Sequence, residues 1–182
     1  MVIIMFKIKN SILDGCLLLE LNKFQDKRGI FNKTFYYDFF KKNNLPVDFK
    51  EEYYSVSHKN VIRGMHFQVP PYQQSKLVCC ISGEILDVVV DLRKKSPTYG
   101  KYDSFKLEEG KNMVYIPEGF AHGFLSLTKN AIVTYKVTSM YNSNCDTGIK
   151  WNSFGFVWNT DRPILSERDN EFKNFIDFKT PF

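Results

Sequence analysis

Histidine is scarce: the 182 residues hold only three, His58, His66 and His122, and no two form a His-x-His pair. A divalent ion needs three or four converging ligands, so a resident metal cofactor is not expected. The four cysteines, Cys16, Cys79, Cys80 and Cys145, show no metal-ligand spacing, and the adjacent pair in an apolar stretch reads as small buried filler with reduced thiols. No run approaches the ~20 apolar residues of a membrane helix. The opening Val2-Ile3-Ile4-Met5-Phe6 is too short for a secretory core as well, which excludes a membrane partner and makes the cytoplasm the expected location. Charge of one sign is not concentrated either. The net +5 forms no basic stripe, which argues against nucleic acid and leaves room for a small anionic substrate. Repeats, low-complexity tracts and linkers are missing, and the length suits one domain over residues 1–182 where two would each be marginal.

What is abundant is aromatic: 17 Phe and 10 Tyr favour strands over helices. Strand-like segments run over 16–20, 30–36, 53–57, 61–67, 76–81, 85–92, 102–107, 112–116 and 131–138, separated by turn signals such as Asp26-Lys27-Arg28-Gly29, Ser82-Gly83-Glu84 and Glu108-Glu109-Gly110. The class is all-β, a sandwich or jelly roll, with one short helix over 37–43. The polar stretch from Asp161, with scattered Phe, is expected to pack on the barrel as a tail with room for a short helix.

Period-two reading assigns side chains to faces. Ala131, Val133, Tyr135 and Val137 share one face, which turns Tyr135 inward among apolar neighbours. In 85–92 one face is wholly apolar and the other carries Asp87, so the strand is buried on both sides and Asp87 needs a partner, either structural or behind the site.

Several motifs carry chemistry: Phe24-Gln25-Asp26-Lys27-Arg28-Gly29, Arg63-Gly64-Met65-His66-Phe67-Gln68, Lys76-Leu77-Val78, Asp91-Leu92-Arg93, Ser96-Pro97-Thr98-Tyr99-Gly100, Pro117-Glu118-Gly119-Phe120-Ala121-His122-Gly123-Phe124, Tyr135-Lys136 and Leu165-Ser166-Glu167-Arg168-Asp169. In order and spacing they resemble the dTDP-4-dehydrorhamnose 3,5-epimerase family over nearly the whole chain. The resemblance implies a cupin jelly-roll barrel, a homodimer exchanging strands, and an active site inside the barrel. It implies His66 as general base paired with Asp169, Lys76 beside the C4 oxygen of a 4-keto sugar, and Tyr135 as the acid on the opposite side. Arg63 and Arg28 fall at positions for the diphosphate, Phe24 and Phe31 beside the nucleotide, and His122 and Gln68 as further substrate-binding neighbours.

These roles make physical sense. A C4 ketone acidifies the protons on C3 and C5, because the carbanion delocalises onto oxygen. Imidazole, titrating near ~6.5, can accept such a proton, and a carboxylate on its other nitrogen fixes the tautomer. An ammonium belongs where the enolate charge develops, and a phenol in an apolar wall can return a proton to the other face. Guanidinium forks match phosphate oxygens.

Taken singly, the residues have plainer readings: a satisfied barrel histidine for His66, a helix cap for Asp169, a tight turn around His122, an ordinary turn at Arg28. The alternative functions are a nucleotide-sugar 3,4-ketoisomerase, a noncatalytic sugar-binding cupin and a metal-dependent cupin oxygenase. Regular alternation from Val61 to Phe67 would send Arg63 and His66 to opposite faces, so an irregularity is expected at Gly64. Where the family carries Gln-Asp-Asn-x-Ser-x-Ser, this chain has Glu51-Glu52-Tyr53-Tyr54-Ser55-Val56-Ser57, and Met140-Tyr141 stands where a Tyr-Tyr pair is frequent. These departures point away from strict thymidine and rhamnose specificity. A GDP- or dTDP-linked sugar, hexose or heptose, is the expected partner, inverted at C3 or at C3 and C5.

Overall fold

Alternating apolar and polar residues give two antiparallel sheets packed face to face as a jelly-roll barrel, described by a computed structural model over residues 6–182. The apolar opening over 2–5 lies outside the described residues. The strands are β1 (Phe6–Asn10), β2 (Leu17–Leu21), β3 (Phe24–Asp26), β4 (Gly29–Phe31), β5 (Glu51–Ser57), β6 (Ile62–Gln68), β7 (Lys76–Ser82), β8 (Glu84–Asp91), β9 (Tyr102–Glu108), β10 (Asn112–Ile116), β11 (Phe120–Ser126), β12 (Ala131–Val137) and β13 (Asp146–Gly148). Two short helices, α1 (Tyr37–Lys42) and α2 (Glu167–Glu171), complete the set with a 3-10 turn at Phe175–Asp177. One sheet runs β1-β2-β10-β7-β12-β5, the other β13-β6-β11-β8-β9, and β3-β4 form a separate hairpin. Among the described residues no helix is long and apolar enough to cross a membrane.

Apolar packing occupies three layers. The barrel interior holds Val78, Val89, Val114, Phe124, Val133 and Tyr135. The outer face of the five-stranded sheet, with Val88, Val90 and Leu92, is covered by the tail, from which Phe175, Phe178 and Phe182 pack inward. The outer face of the six-stranded sheet is covered by α1 and the segment after it, through Phe40 and Leu45. Burial on both faces explains why β8 reads as nearly continuous Ile-Leu-Val, and it accounts for the tail expected from Asp161 onward.

Three readings need correction. The strand expected over 30–36 stops at Phe31, because Phe35 leaves the ladder to pack against Phe40 and Phe49. The Ala121-His122-Gly123 segment is not a turn but the middle of β11, buried along its whole length. Its glycine answers to a close approach: a Cβ on Gly123 would lie 2.7 Å from the Arg63 carbonyl oxygen and 2.9 Å from the Gly64 Cα. Strands β1 and β13 escaped the pattern altogether, being short and only partly buried.

The irregularity expected at Gly64 is present. His122 pairs with His66 but Phe124 pairs with Arg63, so β6 carries one extra residue against β11 there. Gly64 has φ +148°, and its peptide bond to Met65 is cis. Ile62, Met65 and Phe67 then join the outer layer, while Arg63, His66 and Gln68 all reach the interior cavity.

Candidate active site

Both sheets contribute side chains to a cavity of about 300 Å³ in the barrel. From the five-stranded sheet come Arg63 and His66 on β6 and His122 on β11; from the six-stranded sheet come Lys76 on β7, Tyr135 on β12 and Tyr53 on β5. Strand alternation delivers them, since β12 buries every second residue from Ala131 to Val137. The volume is at the low end for ligand sites, enough for a sugar ring with the remainder of a larger ligand at the mouth.

His66 Nε2 lies 2.7 Å from Asp169 Oδ1, and the Gly64 N–H donates to Asp169 Oδ2 at 3.1 Å. Asp169 is buried, carried in by the first turn of α2, where its own N–H donates to the capping Ser166 hydroxyl. Burial alone would raise the Asp169 carboxyl, but its bonds to His66 and to the Gly64 N–H prevail and hold it below the usual carboxylate range. With Nε2 committed to Asp169, Nδ1 is the ring nitrogen available for other chemistry.

Lys76 is buried, its ammonium donating to the His66 carbonyl oxygen at 3.1 Å. Burial lowers its pKa to about 8, partly offset by Asp146 and Asp87. Tyr135 is 7% exposed, and burial pushes its phenol far up, so it is a protonated donor at neutral pH. His122 Nε2 meets Asp87 Oδ2 at 2.7 Å, and both are buried. Burial lowers the His122 pKa against the pull of Asp87, and it raises that of Asp87 against His122 and Lys76. Asp87 thus has the partner its position required, and His122 is a cavity-lining residue fixed from behind.

Arg63 reaches the cavity with its Nε donating to the Ser57 hydroxyl at 3.0 Å. Gln68 also lines the cavity, but its amide is spent on the loops: it donates to the Tyr72 and Met140 carbonyls and accepts from the Asn142 N–H. Phe24, Arg28 and Phe31 are not brought to this cavity. They belong to the β3-β4 hairpin, which lines its own open groove of about 910 Å³. There the Arg28 guanidinium is held by Asp26 in the same turn and is 85% exposed.

Some lining residues were not singled out by sequence reasoning. Arg168, beside Asp169 in the Ser-Glu-Arg-Asp motif, lines the mouth and pairs with Asp146 at 2.7 Å. Adjacency to a predicted carboxylate was the only available signal. Tyr53 was visible only as a departure from the family pattern, yet it lies directly across from Tyr135 in the β5–β12 register. Among the described residues, no group of three or more His, Cys, Asp or Glu could hold a metal ion.

A family model described as dTDP-4-dehydrorhamnose 3,5-epimerase matches residues 10–177. The dTDP-4-dehydrorhamnose 3,5-epimerase of Methanothermobacter thermautotrophicus is 42% identical over 174 residues, covering 92% of this chain and 94% of the relative. Among solved structures, the dTDP-6-deoxy-D-glucose-3,5-epimerase of Legionella pneumophila Philadelphia 1, in complex with dTDP-4-keto-L-rhamnose, superposes with a TM-score of 0.91 at 31% identity, covering 96% of this chain and 95% of that one. A 3'-monoepimerase from Streptomyces bikiniensis, in complex with dTDP-quinovose, gives a TM-score of 0.84 at 29% identity, covering 90% and 85%.

Proposed function

The chain belongs to the dTDP-4-dehydrorhamnose 3,5-epimerase family, isomerases of deoxysugar biosynthesis, and from that premise we propose that it epimerises a nucleotide-diphosphate 4-keto-6-deoxy sugar with His66 as base and Tyr135 as acid. The observation that carries this reading is that His66 on one sheet, held from behind by Asp169 of α2, shares one cavity with Tyr135 and Lys76 on the other. His66 Nδ1 takes the proton from C3, the electron pair moves onto the C4 oxygen, and the Lys76 ammonium stabilises the enolate there. The Tyr135 hydroxyl then protonates C3 from the other face. This leaves a His66 imidazolium and a Tyr135 phenolate, which solvent exchange returns to their starting states. C5 is the second centre that the same ketone acidifies.

The cavity's size supports seating the sugar inside with the diphosphate at the mouth, beside Arg63 and Arg168. For the nucleotide we propose a second copy of the chain. Phe31 is 60% exposed and, with Phe24 and Arg28, forms a hairpin that does not line its own chain's cavity; an aromatic pair flanking a cation suits the base and diphosphate bound to a partner subunit. The exposed Tyr54 and Val56 on the edge strand β5 are the kind of apolar surface a homodimer covers.

Proton NMR in D2O with dTDP- and GDP-linked 4-keto-6-deoxy sugars, hexose and heptose, tests the reading. Expected is loss of the C3 proton signal with inversion, and of the C5 signal if both centres turn over, for a dTDP-linked member first because the relatives' ligands carry that nucleotide. His66→Asn should abolish the exchange while retaining nucleotide-sugar binding. A relocated ketone, or exchange retained in His66→Asn, would overturn it.

A further inference from the structure

Tyr53 has no part in the proton transfers described above, yet its ring lies against the proton-returning phenol. It stands directly opposite Tyr135 in the β5–β12 ladder. The two rings are stacked, centroids 4.9 Å apart and planes 19° from parallel. On another side the Tyr135 ring meets the edge of the His122 ring, at 6.1 Å and 68°, and His122 is itself held by Asp87. The Tyr135 ring is thus flanked by the stacked face of Tyr53 and by the edge of a His122 ring that is itself held.

Beyond Tyr53 the sheet ends, because β5 is its edge strand. Tyr53 is 43% exposed while Tyr135 is 7% exposed; removing the Tyr53 ring would open the Tyr135 face toward the cavity mouth.

We propose that Tyr53 is a positioning residue for the acid step: its ring, stacked on Tyr135 from the edge strand, holds that phenol in the orientation that returns a proton to the inverted face of the sugar. This rests on the assignment of Tyr135 as the acid. A residue acting only on the acid leaves proton abstraction by His66 intact. Without it, more of the enolate is reprotonated from the His66 face, and the substrate gains deuterium without inverting.

The test compares Tyr53→Phe, Tyr53→Leu and Tyr53→Ala in D2O, using whichever nucleotide-linked 4-keto sugar the wild-type enzyme turns over. NMR follows two products: substrate labelled at C3 with retention, and inverted product. Tyr53→Phe keeps the stacked face and should keep the ratio of retained label to inversion within about twofold of wild type. Tyr53→Leu keeps apolar bulk without the face. It and Tyr53→Ala should raise the ratio about tenfold and lower kcat for inversion by a similar factor, with KM changed less than about threefold. A wild-type ratio in Tyr53→Leu or Tyr53→Ala, or a defect confined to KM, would overturn the inference. If Tyr53→Ala does not fold, the Phe and Leu variants carry the comparison. Tyr135→Phe run in parallel separates the two levels: if it fails to raise the ratio, the acid assignment falls; if it raises the ratio while Tyr53→Leu does not, only the role of Tyr53 falls.

Discussion

Replacing Asp169 by Asn keeps the shape of the side chain and removes its charge. The carboxylate presently serves two donors, the His66 ring nitrogen at 2.7 Å and the Gly64 N–H at 3.1 Å. An amide cannot serve both. With its oxygen toward His66, its NH2 group confronts the Gly64 N–H; turned around, it donates to Nε2 and forces the ring proton onto Nδ1, the nitrogen that must be bare to act as base. In either orientation a charge-assisted bond, about 1.5–3 kcal/mol, is lost or becomes an ordinary one. The imidazolium formed on proton abstraction also loses its counter-charge. General-base contributions of ~10²–10⁴ set the scale, so the C3 exchange rate in D2O should fall by at least about 100-fold while nucleotide-sugar binding persists. Exchange within threefold of wild type would refute the reasoning. The substitution should act on acid stability as well. The Asp169 carboxyl is held low, so its stabilisation is complete above the unfolded value of about 3.9 and is lost as pH falls through the lowered folded value; the variant should lack that part of the acid limb.

Lys76→Met should lower kcat by about 10²–10³, the scale for one donor to a developing oxyanion. In the wild type, the ammonium is present below its lowered pKa of about 8 and is lost above it, so kcat/KM should decline on the alkaline side with an apparent pKa near that value, a limb that Lys76→Met should lack. Gly123→Ala places a methyl group against the Arg63 carbonyl and Gly64 Cα; denaturant titration should show a loss of about 1–3 kcal/mol, and exchange should fall because the displaced segment carries Arg63 and His66. Arg93→Ala removes the fork that donates to the fully buried Asp91 at 2.8 and 2.9 Å. Urea unfolding should report a loss of about 3 kcal/mol, with kcat unchanged where the protein remains folded.

Much of the barrel could be read from the chain because a strand's side chains alternate, so a period of two in apolarity gives both the element and its inward face. Tyr135 was placed inward on that ground, and the buried two-faced strand around Asp87 likewise. The Gly64 irregularity was inferred from a contradiction: Arg63 and His66 could not both face inward on a regular strand. Gly123 was harder. A glycine next to His122 looks like a turn from sequence, and only the neighbouring strand reveals that β6 crowds it.

By itself, then, the sequence determined the class of fold, which depends on local periodicity, and, through motifs whose order and spacing resemble a known family, it pointed to residues whose side-chain chemistry can move a proton beside a ketone. It could not determine partners that meet across space: His122 with Asp87, Arg168 with Asp146, and Tyr53 with Tyr135. Those contacts join residues 22 to 82 positions apart in the chain. They follow from strand register and sheet order, which single-strand periodicity leaves free. The hairpin bearing Phe24, Arg28 and Phe31 shows the same limit, for only the folded chain reveals that these residues line a groove of their own and not the barrel cavity.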